Sequence, residues 1–82
     1  MKEARVGTPI TLGQITIIPL EEVSLHHDFS GGGLFVYASK EPIGIVVGSP
    51  EGKYAIDIHG QHVALEPYVQ KIHKLQQLLD SL

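Results

Sequence analysis

The chain has 82 residues, a formal net charge of -3 from 6 Lys+Arg against 9 Asp+Glu, a hydrophobic fraction of 43% and no cysteine. That length admits one core, which buries only roughly 60 to 65% of the surface exposed by the unfolded chain, and the composition is that of a globular domain. Disulfides and thiolate zinc sites are excluded, so a partner subunit is the expected supplement to a thin core. So few cations give no electrostatic footprint for a phosphate backbone, and nucleic acid is not an expected partner.

Met1-Lys2-Glu3-Ala4-Arg5 leads directly into turn and strand signals, without the apolar stretch and small-residue cleavage site of a secretory leader. No apolar run approaches the ~20 residues of a membrane helix. No membrane insertion and a cytoplasmic location are the expectations.

Two apolar runs, Pro9 to Leu12 and Ile15 to Leu20, flank Gly13-Gln14. Glycine at the first central position is what a two-residue type II′ turn requires, so a β-hairpin is expected there. Pro19 has no amide hydrogen for a ladder, which predicts that the second strand lies at an edge, bends or ends near that point. Glu22 to Leu25 resumes a period of two, with Val23 and Leu25 on one face. Gly31-Gly32-Gly33 then interrupts the pattern as a loop or sharp bend.

Three β-like runs follow, Leu34 to Ser39, Ile43 to Gly48 and Lys53 to Ile58, joined by Lys40-Glu41-Pro42 and by Ser49-Pro50-Glu51-Gly52. Both connections have hairpin length, and the second places Pro and Gly as a type I turn prefers. These runs read as a meander. Ile43 to Val47 is apolar on both faces apart from Gly44, which predicts a central strand covered on both sides, whereas Lys53 to Ile58 alternates as a strand with one wet side. His59-Gly60-Gln61-His62 repeats the Gly-Gln arrangement and leads into a short strand at Val63 to Leu65.

A helix closes the chain. Pro67 suits a first helical position, and Leu65, Tyr68, Ile72, Leu75, Leu79 and Leu82 recur at intervals of 3, 4, 3, 4 and 3, a stripe broadened by Val69 and Leu78. The stripe is too short to argue for a coiled coil. Two readings stand: the helix covers a sheet face of its own subunit, or it pairs with its copy across a dimer axis. The second makes Tyr68, Ile72, Leu75, Leu79 and Leu82 the self-association residues. The fold class expected is α+β, mostly β: one domain over 1–82, an antiparallel sheet of hairpins and a meander closed by one C-terminal amphipathic helix.

His26-His27-Asp28 offers ordinary ligands for zinc and its neighbours, but on an extended strand the two imidazoles project to opposite faces. His59 and His62, flanking a two-residue turn, are expected as cross-strand neighbours about 5 Å apart at Cβ. A complete metal site would join His59 and His62 with His26, His27 or Asp28, against a plain reading as exposed polar residues at strand ends. His73 reads as a half-buried flank of the stripe. The serines come with no G-x-S-x-G elbow, Glu21-Glu22, Asp28 and Asp57 read as wet-face carboxylates, and the triple glycine has no P-loop context. No catalytic residue and no cofactor are expected.

Gly7-x-Pro9-Ile10 followed by Gly13, Thr16-Ile17-Ile18-Pro19, Val23-Ser24, the glycine cluster and Pro42 before an apolar strand together resemble the YtfJ/GerW-type spore protein family (sporulation protein YtfJ-like). The likeness covers nearly the whole chain, with Gly7 to Ser24 its most specific part. His26-His27-Asp28 stands where that family has glycine and phenylalanine, and the glycine stretch is only Gly31 to Gly33. The resemblance implies association with sporulation or germination in some members and brings no enzyme activity. The functional expectation is a non-enzymatic, self-associating domain, a dimer first, using sheet edges or the C-terminal helix. The alternative is a metal or small-molecule binder at the histidines.

Overall fold

Leu12 pairs with Ile15 across Gly13-Gln14, and Gly13 has φ +61° while Gln14 stays at negative φ, the pattern of the expected type II′ turn. A computed structural model describes residues 2–30 and 33–81, of which 28–30 and 33–36 by their backbone alone. Its elements are β1 (Lys2–Val6), β2 (Ile10–Leu12), β3 (Ile15–Ser30), β4 (Gly33–Ser49), β5 (Gly52–Asp57), β6 (His62–Val63), α1 (Glu66–Lys71) and α2 (His73–Asp80). The strands form one antiparallel sheet in the order β1-β3-β4-β5-β6, with β2 pairing beside β1 on the same side of β3. The α+β, mostly β class is as the sequence predicts.

Pro19 and Pro42 both sit inside continuous strands. Pro19 neither ends its strand nor lies at an edge: β3 runs unbroken for 16 residues. β2 covers β3 at 15–17 and β1 covers it at 20–24, so Pro19 falls in the gap between them. Its carbonyl accepts the Gly7 N–H at 2.7 Å from that side. In an antiparallel strand a residue's N–H and C=O point the same way, so the missing donor faces the gap and no bond to β4 is lost. Lys40-Glu41-Pro42 is likewise not a turn. β4 passes through it for 17 residues, and the ladder shifts where Leu20 faces Gly44 but Glu21 faces Pro42, leaving Ile43 as the extra residue of a bulge. A bulge is where a strand tolerates proline.

A strand of 16 residues at ~3.3 Å per residue spans about 53 Å, and the molecule is accordingly 56 Å long and only about 20 Å thick.

One face of the sheet carries the core. Ile18, Leu20, Val46 and Ala55 are buried against Ile72, Leu75 and Leu79, flanked by Ala4, Val6, Val63, Leu65, Tyr68 and Val69. The C-terminal stripe thus covers its own subunit's sheet. It does so as two helices: Ile72 has φ -118° and ψ 105°, so the chain is extended for one β-branched residue between α1 and α2. That break sends the Ile72 side chain into the core, where it is 1% exposed.

Candidate interaction surface

Strand alternation that buries Ile18 and Leu20 turns Ile15, Ile17 and Pro19 to the opposite face. The register extends this face across the sheet. Ile10 and Leu12 of β2 stand beside Ile17 and Ile15, and Val47 and Ile45 of β4 stand beside Ile17 and Pro19. Beyond them come Tyr54 and Ile56 of β5, then His62 of β6. Leu12 is 64% exposed and Ile10 51%. Among the described residues no second layer covers this face, so the expectation that Ile43 to Val47 is covered on both sides is half right. Helices bury Val46; Val47 is shielded only by its neighbours within the sheet.

Charge bounds the patch. Arg5 pairs with Glu21, whose carboxylate lies 4.0 Å from Lys40 Nζ, and Glu3 pairs with Val23, all on this same outer face. Past Ser24 the sheet narrows to the two-stranded ribbon of β3 and β4, which carries exposed Leu25, His26, His27 and Tyr37.

The candidate metal ligands are not brought together. His26 faces Tyr37 and stacks on it with ring centroids 4.9 Å apart, while His27 faces Val36, on the other side of the ribbon. The Asp28 side chain lies outside what the structure describes. His62 pairs with Ile56 rather than His59, and its ring stacks on Tyr54 at 4.8 Å. His59 sits in a loop longer than two residues, because Asp57 Oδ1 accepts the N–H groups of both His59 (2.9 Å) and Gln61 (3.0 Å) while Asp57 N–H donates to Gln61 O. Those donated bonds, Gln61's first, hold the Asp57 carboxyl below its ordinary value.

The register runs His62–Ile56–Ile45–Pro19, and His26 lies seven residues further along β3. At ~3.3 Å per residue that is about 23 Å along the strand, with a further ~14 Å across three strand spacings. No group of three His, Asp or Glu side chains among the described residues could hold a metal ion. His73 is exposed at the start of α2 rather than half-buried.

The self-association set is redistributed as well. Ile72, Leu75 and Leu79 are at most 4% exposed within one chain, and Tyr68 is half-buried with its hydroxyl donating to Ile43 O, so a partner cannot reach them without opening the core. Leu82 lies outside the described residues. Gly31 and Gly32 do also; Gly33 opens a strand, not a phosphate-cradling helix. The outer sheet face was not singled out from sequence, although the alternation Ile10, Leu12 and Ile15, Ile17 was its signal. No helix among the described residues is long and apolar enough to cross a membrane.

No protein family, no curated protein and no solved structure matches this chain.

Proposed function

We propose that this chain is a non-enzymatic interaction module that assembles with a second copy of itself through the uncovered sheet face. The carrying observation is that face: Ile10, Leu12, Ile15, Ile17, Ile45, Tyr54 and Ile56 lie together, with no layer over them among the described residues, on the side away from the helices. Contiguous exposed apolar patches of this kind mark interaction sites. Two sheets packed face to face are a standard means of covering such surfaces.

A second copy fits the dimensions and the charge. A footprint covering half of a 56 by 21 Å face is roughly 600 Å² per copy, about 1,200 Å² in all, which reaches the low end of stable interfaces. The face carries its own balanced rim, Arg5 and Lys40 beside Glu3 and Glu21, rather than the excess of cations that an anionic surface would select. The proposal includes the cytoplasmic setting and, following the YtfJ/GerW resemblance, a role in sporulation or germination.

Sedimentation equilibrium tests it. The wild type is expected to associate at high-micromolar concentration, and Leu12→Glu to remain folded while associating more weakly. A wild-type monomer throughout, or one that binds zwitterionic lipid vesicles instead, overturns the proposal.

A further inference from the structure

Strand β1 ends the sheet, and its outer side has no strand partner among the described residues. The Gly7 N–H bond to Pro19 O fixes the phase of its hydrogen bonds. Continuing the alternation from Gly7, Arg5 and Glu3 bond inward to Glu21 and Val23. Lys2, Ala4 and Val6 turn their N–H and C=O groups outward. An open cleft of about 710 Å³ runs along this strand, lined by Glu3, Arg5, Glu21 and Lys40 on one flank and by Ile72 and His73 on the other.

Charged residues on an edge strand commonly guard it against pairing. Here their order makes the strand complementary to itself. In the run Lys-Glu-Ala-Arg-Val, an antiparallel copy related by a two-fold axis through Ala4 sets Glu3 opposite Arg5 of the second copy and Arg5 opposite its Glu3. Ala4 then faces Ala4, with no side chain large enough to hold the backbones apart, and Lys2 faces Val6. The outward-turned residues are the ones this axis pairs, so the central Ala4 pair and the two Lys2–Val6 pairs can each exchange backbone hydrogen bonds. On the outer face each Arg5 would stand between Glu21 of its own chain and Glu3 of the other, a cation between two carboxylates.

We infer that β1 is a homotypic edge-pairing site: it joins β1 of a second copy in antiparallel register centred on Ala4, filling the cleft beside it and making one continuous sheet from two chains. This site is separate from the face association proposed above and does not depend on it.

The register prescribes a charge-reversal test by sedimentation, with melting curves to confirm folding. Glu3→Arg alone sets cation against cation at both contacts, and Arg5→Glu alone sets carboxylate against carboxylate. Each variant is expected to weaken self-association about tenfold, from two like-charge cross-strand pairs. An equimolar mixture of the two variants makes every such contact attractive and is expected to restore association to wild-type strength as a mixed dimer. Association that is unchanged in both variants, or a mixture no stronger than its components, overturns the inference. If Leu12→Glu abolishes association while the β1 variants do not, the face proposal stands and this one falls. If the β1 pattern appears and Leu12→Glu has no effect, the reverse holds.

Discussion

The Tyr68 hydroxyl donates to the Ile43 carbonyl oxygen at 3.4 Å, tying α1 to the bulged residue of β4. The ring then lies over Gly44: a Cβ added there would stand 2.8 Å from Ile56 O and 3.3 Å from Tyr68 Oη. The backbone oxygen of a paired strand cannot retreat as a flexible side chain can, and Gly44 also has φ +157°. Gly44→Ala is therefore expected to cost about 2 kcal/mol, as overpacking does. Gly13→Ala, with nothing within 4 Å but φ +61°, should lose only about 1 kcal/mol. Urea midpoints of the two variants check the order; equal losses would mean that Ile56 O and Tyr68 do not close over Gly44.

Leu75 is fully buried between α2 and the sheet, in contact with the cluster that includes Ile18, Leu20 and Val46. Truncation leaves a cavity in a core too small to offset it elsewhere. Leu75→Ala is expected to destabilise by about 3 kcal/mol, which lowers Tm by about 15 °C in a domain of this size. Leu75→Asp should prevent folding, because it places a carboxylate where no partner waits. A folded Leu75→Asp monomer would show that the leucine is not a core residue.

What could be read from sequence follows the range of the interactions involved. The Gly13-Gln14 hairpin and the turn at Ser49 to Gly52 depend on local backbone chemistry, and both form where expected. Pro19 and Pro42 also act locally, but their cost depends on what lies on the donor side. That is set by β1 and β2 in one case and by the bulge opposite Glu21 in the other. The apolar spacing of Ile72, Leu75 and Leu79 identified a buried stripe, and covering its own sheet was one of its two readings, but the break at Ile72 left no mark in that spacing. Likewise Ile45 and Val47 are as apolar as Val46. Only the packing of α1 and α2 decides that one face of β4 is covered and that the other, among the described residues, is not.

Lys53 lies on the helix side of β5, and its ammonium donates to the Leu79 carbonyl in the last turn of α2. The final carbonyls of a helix have no intrahelical donor and carry the negative end of the dipole, so the lysine satisfies one of them with a charge. Lys53→Met keeps the apolar stem and removes that donor. A loss of about 1 kcal/mol is expected, smaller at high salt, with faster hydrogen exchange at the end of α2. A salt-independent loss would point to the stem rather than the charge.

Asp57 makes the β5–β6 connection sensitive to acid. Its carboxylate accepts Gln61 N–H and His59 N–H, and these bonds favour the ionised form, lowering its pKa from the ordinary 3.8. A carboxyl depressed in the folded state contributes stability that is present above its unfolded value and fades as pH falls through its folded one. Protonation would weaken the cap on the His59–Gln61 loop and with it the short pairing of Ile56 with His62. Asp57→Asn should therefore be less stable than wild type near neutral pH, and the gap should narrow progressively once pH falls below 3.8. Urea titrations of both proteins at neutral pH and in acid measure it. A gap that stays constant into acid would mean that the carboxylate's charge is not what holds the turn.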